Sequence, residues 1–174
     1  KYLYIQRHSS TYFTGSHGKD AIPFIKDLEP HSIVDIGTAG GDLCGWLADE
    51  LPSTTGIWGI DFDFEPLDRN KRSNVFFEKA PAHQIPLGNK SMDILTAFDV
   101  LEHFLPEEID EIFEEFNRVT SKHMIFSICT CDSKSFREVL GSLHPTIQPH
   151  DWWVKKLSKF GKTKHVGKYI QVEL

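Results

Sequence analysis

The reading of the fold turns on Ile33-Val34-Asp35-Ile36-Gly37-Thr38-Ala39-Gly40-Gly41-Asp42. Residues 33–36 are a short run rich in β-branched side chains that stops at Gly37, as a buried strand entering a turn does. Glycines let a backbone turn sharply and approach a ligand where a Cβ would intrude. Beyond the loop, Leu43, Trp46, Leu47 and Leu51 fall at helical spacing over 42–51. The loop therefore opens onto a helix N-terminus with free N–H groups, with Asp42 placed to suit the dipole. A dinucleotide site would need G-x-G-x-x-G and room for an anionic pyrophosphate. The frame Gly37 to Asp42 fails at the second and third glycines and sets Asp35 and Asp42 where phosphate would sit. Two acids beside a glycine loop suit a ligand with a positive centre.

Working outward, the chain alternates between two periodicities. Residues 19–29 carry Ala21, Ile22, Ile25 and Leu28 at helical spacing, with Pro23 tolerated in the first turn. Further strands are predicted at 57–61, 75–78, 92–98 and 123–129. An acidic amphipathic helix is predicted over 107–119, with Ile109, Ile112, Phe113, Phe116 and Val119 inward. Helices are expected at 133–141 and 151–160, and a closing hairpin from 162–166 and 168–173 around Gly167. Such alternation implies βαβ units and a mostly parallel sheet covered on both faces, with ligands held beyond the carboxyl ends of the strands.

The 174 residues suffice for one core, and no linker or repeat divides them. With 40% hydrophobic and 25% charged residues the composition is that of a globular domain, which excludes disordered, collagen-like and coiled-coil classes. No apolar run is long enough for a transmembrane helix. The first residues, KYLYIQRHSS, show neither an initiator Met nor a signal-like stretch, so a trimmed chain or one domain of a longer protein is allowed. Three cysteines, an odd and low number, point to a reducing, cytoplasmic setting. The net charge of −6 is uneven: residues 151–174 carry six lysines against Asp151 and Glu173, or +4, leaving −10 for the rest. An acidic body argues against phosphate-driven nucleic-acid binding. The basic end is read either as a solvated face or as a surface toward an anionic substrate.

Taken together these loops resemble the class I S-adenosylmethionine-dependent methyltransferases, whose first motif is an acid followed by x-Gly-x-Gly-x-Gly. Asp35-x-Gly37-x-Ala39-x-Gly41 matches, with Ala39 in place of the middle glycine. That change requires a locally right-handed loop or some strain. The resemblance implies S-adenosyl-L-methionine as cofactor and a Rossmann-like class I methyltransferase fold, an α/β architecture with a C-terminal antiparallel hairpin. It implies that Asp35 and Gly37 hold the methionine part and that Thr38 and Gly41 also contact the cofactor. At the end of the second strand it implies that Asp61 takes both ribose hydroxyls, as two adjacent donors match one carboxylate, with Phe62 against the adenine. The segment from Glu78 to Leu87 resembles the family's adenine-edge segment. Pro81 stands there at a position where an Asp is common, so the adenine amino group would be met by a backbone carbonyl or Gln84, and Ala82 and His83 remain as contacts. The most specific match is Asp99-Val100-Leu101-Glu102-His103 after the fourth strand. Asp99 and Val100 would border the sulfonium, and His103 would lie near the methyl-transfer face, as a base or as a packing and capping residue.

Residues 19–130 carry this resemblance and are expected to form the cofactor-binding core of a single methyltransferase domain spanning 1–174. Residues 1–18 are expected to cover the substrate, and 131–174 to form the substrate side. Within 143–153 (LHPTIQPHDWW), His144 and His150 are candidate bases and Trp152 a candidate substrate wall. Tyr12 and His17 are candidate substrate contacts. Cys129, Cys131, His144 and His150 together match no familiar zinc spacing, so no metal is expected. No G-x-S-x-G marks a nucleophile. No N-P-P-Y-like tetrad follows the fourth strand, which argues against DNA adenine methylation. The expected reaction is in-line transfer of a methyl group to an O, N or C atom of a small-molecule acceptor or biosynthetic intermediate, anionic or sugar-linked. The alternatives are a non-catalytic partner domain of the same fold and a nicotinamide-dependent oxidoreductase.

Overall fold

The computed structural model describes residues 18–63, 66–131 and 144–174. The expected helix over 133–141, Tyr12 and His17 lie outside the described residues. Seven strands form one sheet: β1 (Ser32–Ile36), β2 (Gly56–Asp61), β3 (Val75–Lys79), β4 (Met92–Phe98), β5 (Thr120–Ser127), β6 (Lys162–Val166) and β7 (Tyr169–Glu173). Their order is β3-β2-β1-β4-β5-β7-β6. The first five pair in parallel, and β7 runs antiparallel to both β5 and β6. The helices are α1 (Ile22–Asp27), α2 (Asp42–Glu50), α3 (Ile109–Val119) and α4 (His150–Leu157). A 3-10 turn (Lys19–Ala21) precedes α1, so the expected 19–29 helix is split between two geometries.

Alternation along the central strands explains why the sheet is covered twice. Ile33, Ile57, Ile94 and Ile125 face a cluster with Ile25, Leu43 and Leu47 of α1 and α2. Their neighbours Val34, Leu95, Met124 and Phe126 face a second cluster with Phe113, Phe116 and Trp153 of α3 and α4. Successive side chains of a strand point to opposite faces, so strands apolar at every position need a cover on each side. On α3, Ile109, Ile112, Phe113, Phe116 and Val119 are all buried, while Asp110, Glu111 and Glu114 stay on the outer face. That outer face meets the basic C-terminal part. Lys156 lies 2.7 Å from Asp110 and Lys159 lies 3.1 Å from Glu114. Lys168 is 3.0 Å from Asp20. Three of the six lysines of the tail are thus engaged by acids of the body. These exposed pairs orient α4 on α3 and contribute little to stability.

The sheet order reverses direction between β1 and β4, since β2 and β3 continue one way from β1 and β5 the other. Such a switch leaves a crevice beyond the carboxyl ends of the two central strands. Phe113 fixes the element that floors this region, with its ring against Phe126, Trp153 and Phe160 at 6.0–6.3 Å between centroids. Replacing Phe113 by Ala is expected to cost about 3–5 kcal/mol in urea unfolding at unchanged fold.

Candidate active site

The loop after β1 is built by continuing the β1–β2 ladder past its end. Gly37 and Thr38 both donate their N–H to the Ile60 carbonyl, at 2.7 and 3.2 Å. The Ala39 N–H then donates to Asp61 Oδ2 at 3.1 Å. Gly37 has φ 72, and a Cβ there would lie 2.4 Å from Val100 Cγ2. Gly41 caps α2 with φ 73, and a Cβ there would meet the Phe77 ring at 2.6 Å. Ala39 has φ 42, so of the two expectations for this residue the strained one holds. A left-handed conformation costs a non-glycine residue roughly 1–2 kcal/mol.

Asp35 is buried on β1, and its Oδ1 accepts the Thr96 hydroxyl from β4 at 2.7 Å. Burial pushes its carboxyl up to about 7, against the opposing hydrogen bonds of Thr96 and Thr38, and the charge of Asp61 adds to the rise. Asp61 is raised as well, by burial, although the N–H groups of Asp63 and Ala39 favour its charged form. Two neighbouring carboxylates whose pKa values are both raised are relieved by a positive charge placed near them. Asp42 does not take part. Arg69 at 3.0 Å and Asn70 at 2.7 Å occupy its carboxylate, so it pins the 3-10 turn Asp68–Asn70 onto α2 rather than facing a ligand.

Next to this loop lies a cavity of about 460 Å³. Gly37, Asp61, Phe62, Ala82, His83, Val100 and His103, all singled out in the sequence, line it. Pro81 also lines it, beside Ala82. Phe62 is 60% exposed at its mouth, which leaves the ring free to cover a flat ligand. Thr38 instead lines a smaller cavity of about 180 Å³ with Gly59 and Phe77. Sequence reasoning missed the far wall, formed by Phe104, Glu108, Glu111 and Ile112. It also missed the brace behind Ala82: Glu115 Oε1 accepts the Ile85 N–H at 2.6 Å, and Arg118 donates to the Ile85 and Leu87 carbonyls at 2.9 Å. The i, i+3 spacing of Glu115 and Arg118 was visible, but not the loop they hold.

Asp99 has φ 55, a conformation Asp tolerates, and its Oδ1 accepts the Ser127 hydroxyl at 3.1 Å. It lines a second cavity, of about 400 Å³, with Ser127, His150, His165 and Lys168. Residues 144–146 are strapped along the turn after β4. The Thr146 N–H donates to the Glu102 carbonyl at 3.3 Å, and the Thr146 hydroxyl to the Phe104 carbonyl at 2.6 Å. The strap sets His144 edge-on to His103, with ring centroids 4.8 Å apart. Trp152 lies elsewhere, against Trp153 and beneath Lys156.

A family model described as a methyltransferase domain matches residues 33–123. The chain belongs to the methyltransferase domain family. It is 26% identical over 110 residues to a demethylmenaquinone methyltransferase of Porphyromonas gingivalis, covering 59% of this chain and 44% of that protein. It is 28% identical over 104 residues to a ubiquinone/menaquinone biosynthesis C-methyltransferase of Geotalea daltonii, covering 55% and 44%. Each match thus spans less than half of the curated relative. The fold is also that of an S-adenosylmethionine-dependent methyltransferase from Mesorhizobium loti, with TM-score 0.68 at 15% identity over 92% of this chain and 98% of that one. The cofactor of this family is S-adenosylmethionine. The residues present fit it: a close backbone cradle at Gly37 that a Cβ would fill, and an acid at the end of each of β1 and β2.

Two consequences can be measured. Ala39→Gly removes a left-handed alanine but loosens the unfolded chain, so a net gain of up to about 1 kcal/mol is expected in urea unfolding. Asp35 has a folded value of about 7, above the ordinary value of about 3.9. Between these pH values the folded protein holds more protons than the unfolded one, so this group's contribution falls as pH rises and is flat above 7. Asp35→Asn should therefore gain stability relative to the parent from pH 5 to pH 7, by urea unfolding across that range, and hold the gain at pH 8.

Proposed function

We propose that this domain transfers a methyl group from S-adenosylmethionine to a small-molecule biosynthetic intermediate, and that the cavity lined by Gly37, Asp61 and Val100 is where the donor binds. When bound, S-adenosylmethionine supplies a methyl group on a positively charged sulfur whose departure leaves a neutral thioether. The observation that carries the reading is a single crevice lined by a glycine cradle, Asp61 and the Val100–His103 turn, with the buried Asp35 close enough to feel the charge of Asp61.

The work of the chain is alignment and exclusion of water, which together can supply about 7–11 kcal/mol at best. Gly37 and Thr38 would hold the amino-acid end beside Asp35. Each oxygen of Asp61 accepts one backbone N–H, from Ala39 and from Asp63, which leaves a further lone pair on each for the ribose hydroxyls. Ala82 and His83 would meet the adenine edge, and the exposed Phe62 ring would cover it. His103 would take a proton from the acceptor atom where that atom must lose one, with His144 beside it. His150, together with Asp99 and Ser127, would border the acceptor in the second cavity. On this reading residues 19–130 hold the cofactor, and 1–18 and 131–174 face the acceptor. The matched relatives act on quinone precursors by name, which supports a small cyclic acceptor over a nucleic acid. An acceptor with an anionic or sugar group is the form the His150–His165–Lys168 lining would take best.

Calorimetry with S-adenosylhomocysteine tests the donor site. Binding is expected at one molecule per chain, weakened more than tenfold by Asp61→Ala and tighter at pH 8 than at pH 6, because Asp35 must give up its proton to face the ligand's ammonium group. Undiminished binding by Asp61→Ala would overturn the ribose assignment. Transfer of labelled methyl groups to fractions of small metabolites should then fall at least about tenfold with His103→Ala, within the usual range for a lost general base. Binding without transfer to any fraction would favour the non-catalytic partner domain, a reading that Pro81 at the adenine edge keeps open.

A further inference from the structure

We propose that Glu102, Cys129 and His144 form a binding site for a divalent cation of the zinc class. Their candidate ligand atoms all lie within 4.8 Å of one another. The three residues come from separate parts of the chain: the 3-10 turn after β4, the segment just past β5, and the strap over 144–146. The spacing of Cys129, Cys131, His144 and His150 gives no zinc pattern, and the fold does not gather those four. It gathers two of them with Glu102.

The geometry around the cluster supports a metal in two ways. First, Glu102 is fully buried, and its Oε1 accepts the Cys129 N–H at 3.1 Å. Carboxylate and thiol are thereby held to one another through a backbone bond, and the thiol itself donates to the Cys131 carbonyl at 3.5 Å, a contact that a metal would replace. Second, the Cys131 carbonyl lies 2.8 Å from His144 Nδ1. Metal-bound imidazoles commonly give their other N–H to a carbonyl, which fixes tautomer and ring orientation. In the proposed site Nε2 would be the ligand nitrogen. Thiolate, imidazole and carboxylate are the donors zinc takes, whereas magnesium and calcium require mostly oxygen. Three protein ligands leave one coordination position for a water or another small ligand. His103, edge-on to His144 and lining the main cavity, places that position close to the proposed methyl-transfer face. The proposal itself does not depend on methyl transfer.

The full chain, freed of metal with a chelator, is titrated with Co²⁺ and then Zn²⁺. One equivalent of cobalt should give a thiolate-to-cobalt charge-transfer band with the visible spectrum of a four-coordinate ion, and zinc should displace it. Cys129→Ser should remove the charge-transfer band, and His144→Ala should weaken zinc binding at least about tenfold, as loss of a ligand must exceed the loss of an outer-shell partner. Cys131→Ser should keep the band, because only its backbone carbonyl is used. The proposal fails if the parent protein shows no charge-transfer band, if the band survives Cys129→Ser, or if it disappears in Cys131→Ser. The parent and Cys131→Ser decide the matter even where another variant does not fold.

Discussion

The site depends on the hydrogen bonds that carry the β1–β2 ladder one turn beyond its last pair. Gly37 and Thr38 share the Ile60 carbonyl, and Ala39 reaches the Asp61 carboxylate. These contacts bend the loop over the end of β2 and bring two acids, 26 positions apart in the chain, close enough for the charge of Asp61 to act on Asp35. They also explain the backbone at Ala39. Its N–H reaches Asp61 with the loop turned left-handed there, so the alanine keeps the hydrogen bond at the expense of local strain. On the opposite wall, Val100 fills the space that a side chain at 37 would need. Loop and wall therefore specify each other.

The electrostatics follow from the same closeness. Asp35 has almost no water around it, and Asp61 little, so each prefers the neutral state more than a free carboxylate does. A folded domain that only had to be stable would be served as well by a neutral side chain at Asp35. Keeping a buried acid there is a cost in the empty protein, one that a cation bound nearby would offset. Asp42, equally acidic and equally close in sequence, shows the contrast. Arg69 and Asn70 neutralise it within the fold, and it serves as an anchor for a turn.

What was readable in the sequence was what one segment decides alone. The β-branched runs marked the strands to within a residue or two, except that β5 begins three residues earlier, at Thr120, where the hydroxyl caps α3 through the Phe116 carbonyl. The glycine loop, Asp61 and the Asp99–His103 stretch were legible because their chemistry is local. What was not readable were partners. The periodicity of α3 gave its buried face but not the lysines of α4 on its acidic one. The same blindness hid Arg118 behind the Ile85 loop, and Glu102 beside Cys129 and His144. Each of those pairings joins elements more than 25 residues apart, and no spacing rule spans the fold between them.

The strap over 144–146 shows how such a pairing acquires a function. A connection leaving β5 needs only to cross the surface to reach α4. Residues 144–146 lie down on the turn after β4 instead, with the N–H and hydroxyl of Thr146 spent on the carbonyls of Glu102 and Phe104. Thr146 is fully buried by doing so. The gain is position: His144 is held on a rigid partner rather than on a free loop, edge-on to His103 and within reach of Cys129 and Glu102. The turn after β4 thus has two neighbours of different kind. Val100 closes the cradle at Gly37 on one side, and His144 meets His103 on the other. The proposed donor crevice and the Glu102–Cys129–His144 cluster therefore share one turn, the stretch from Val100 to His103.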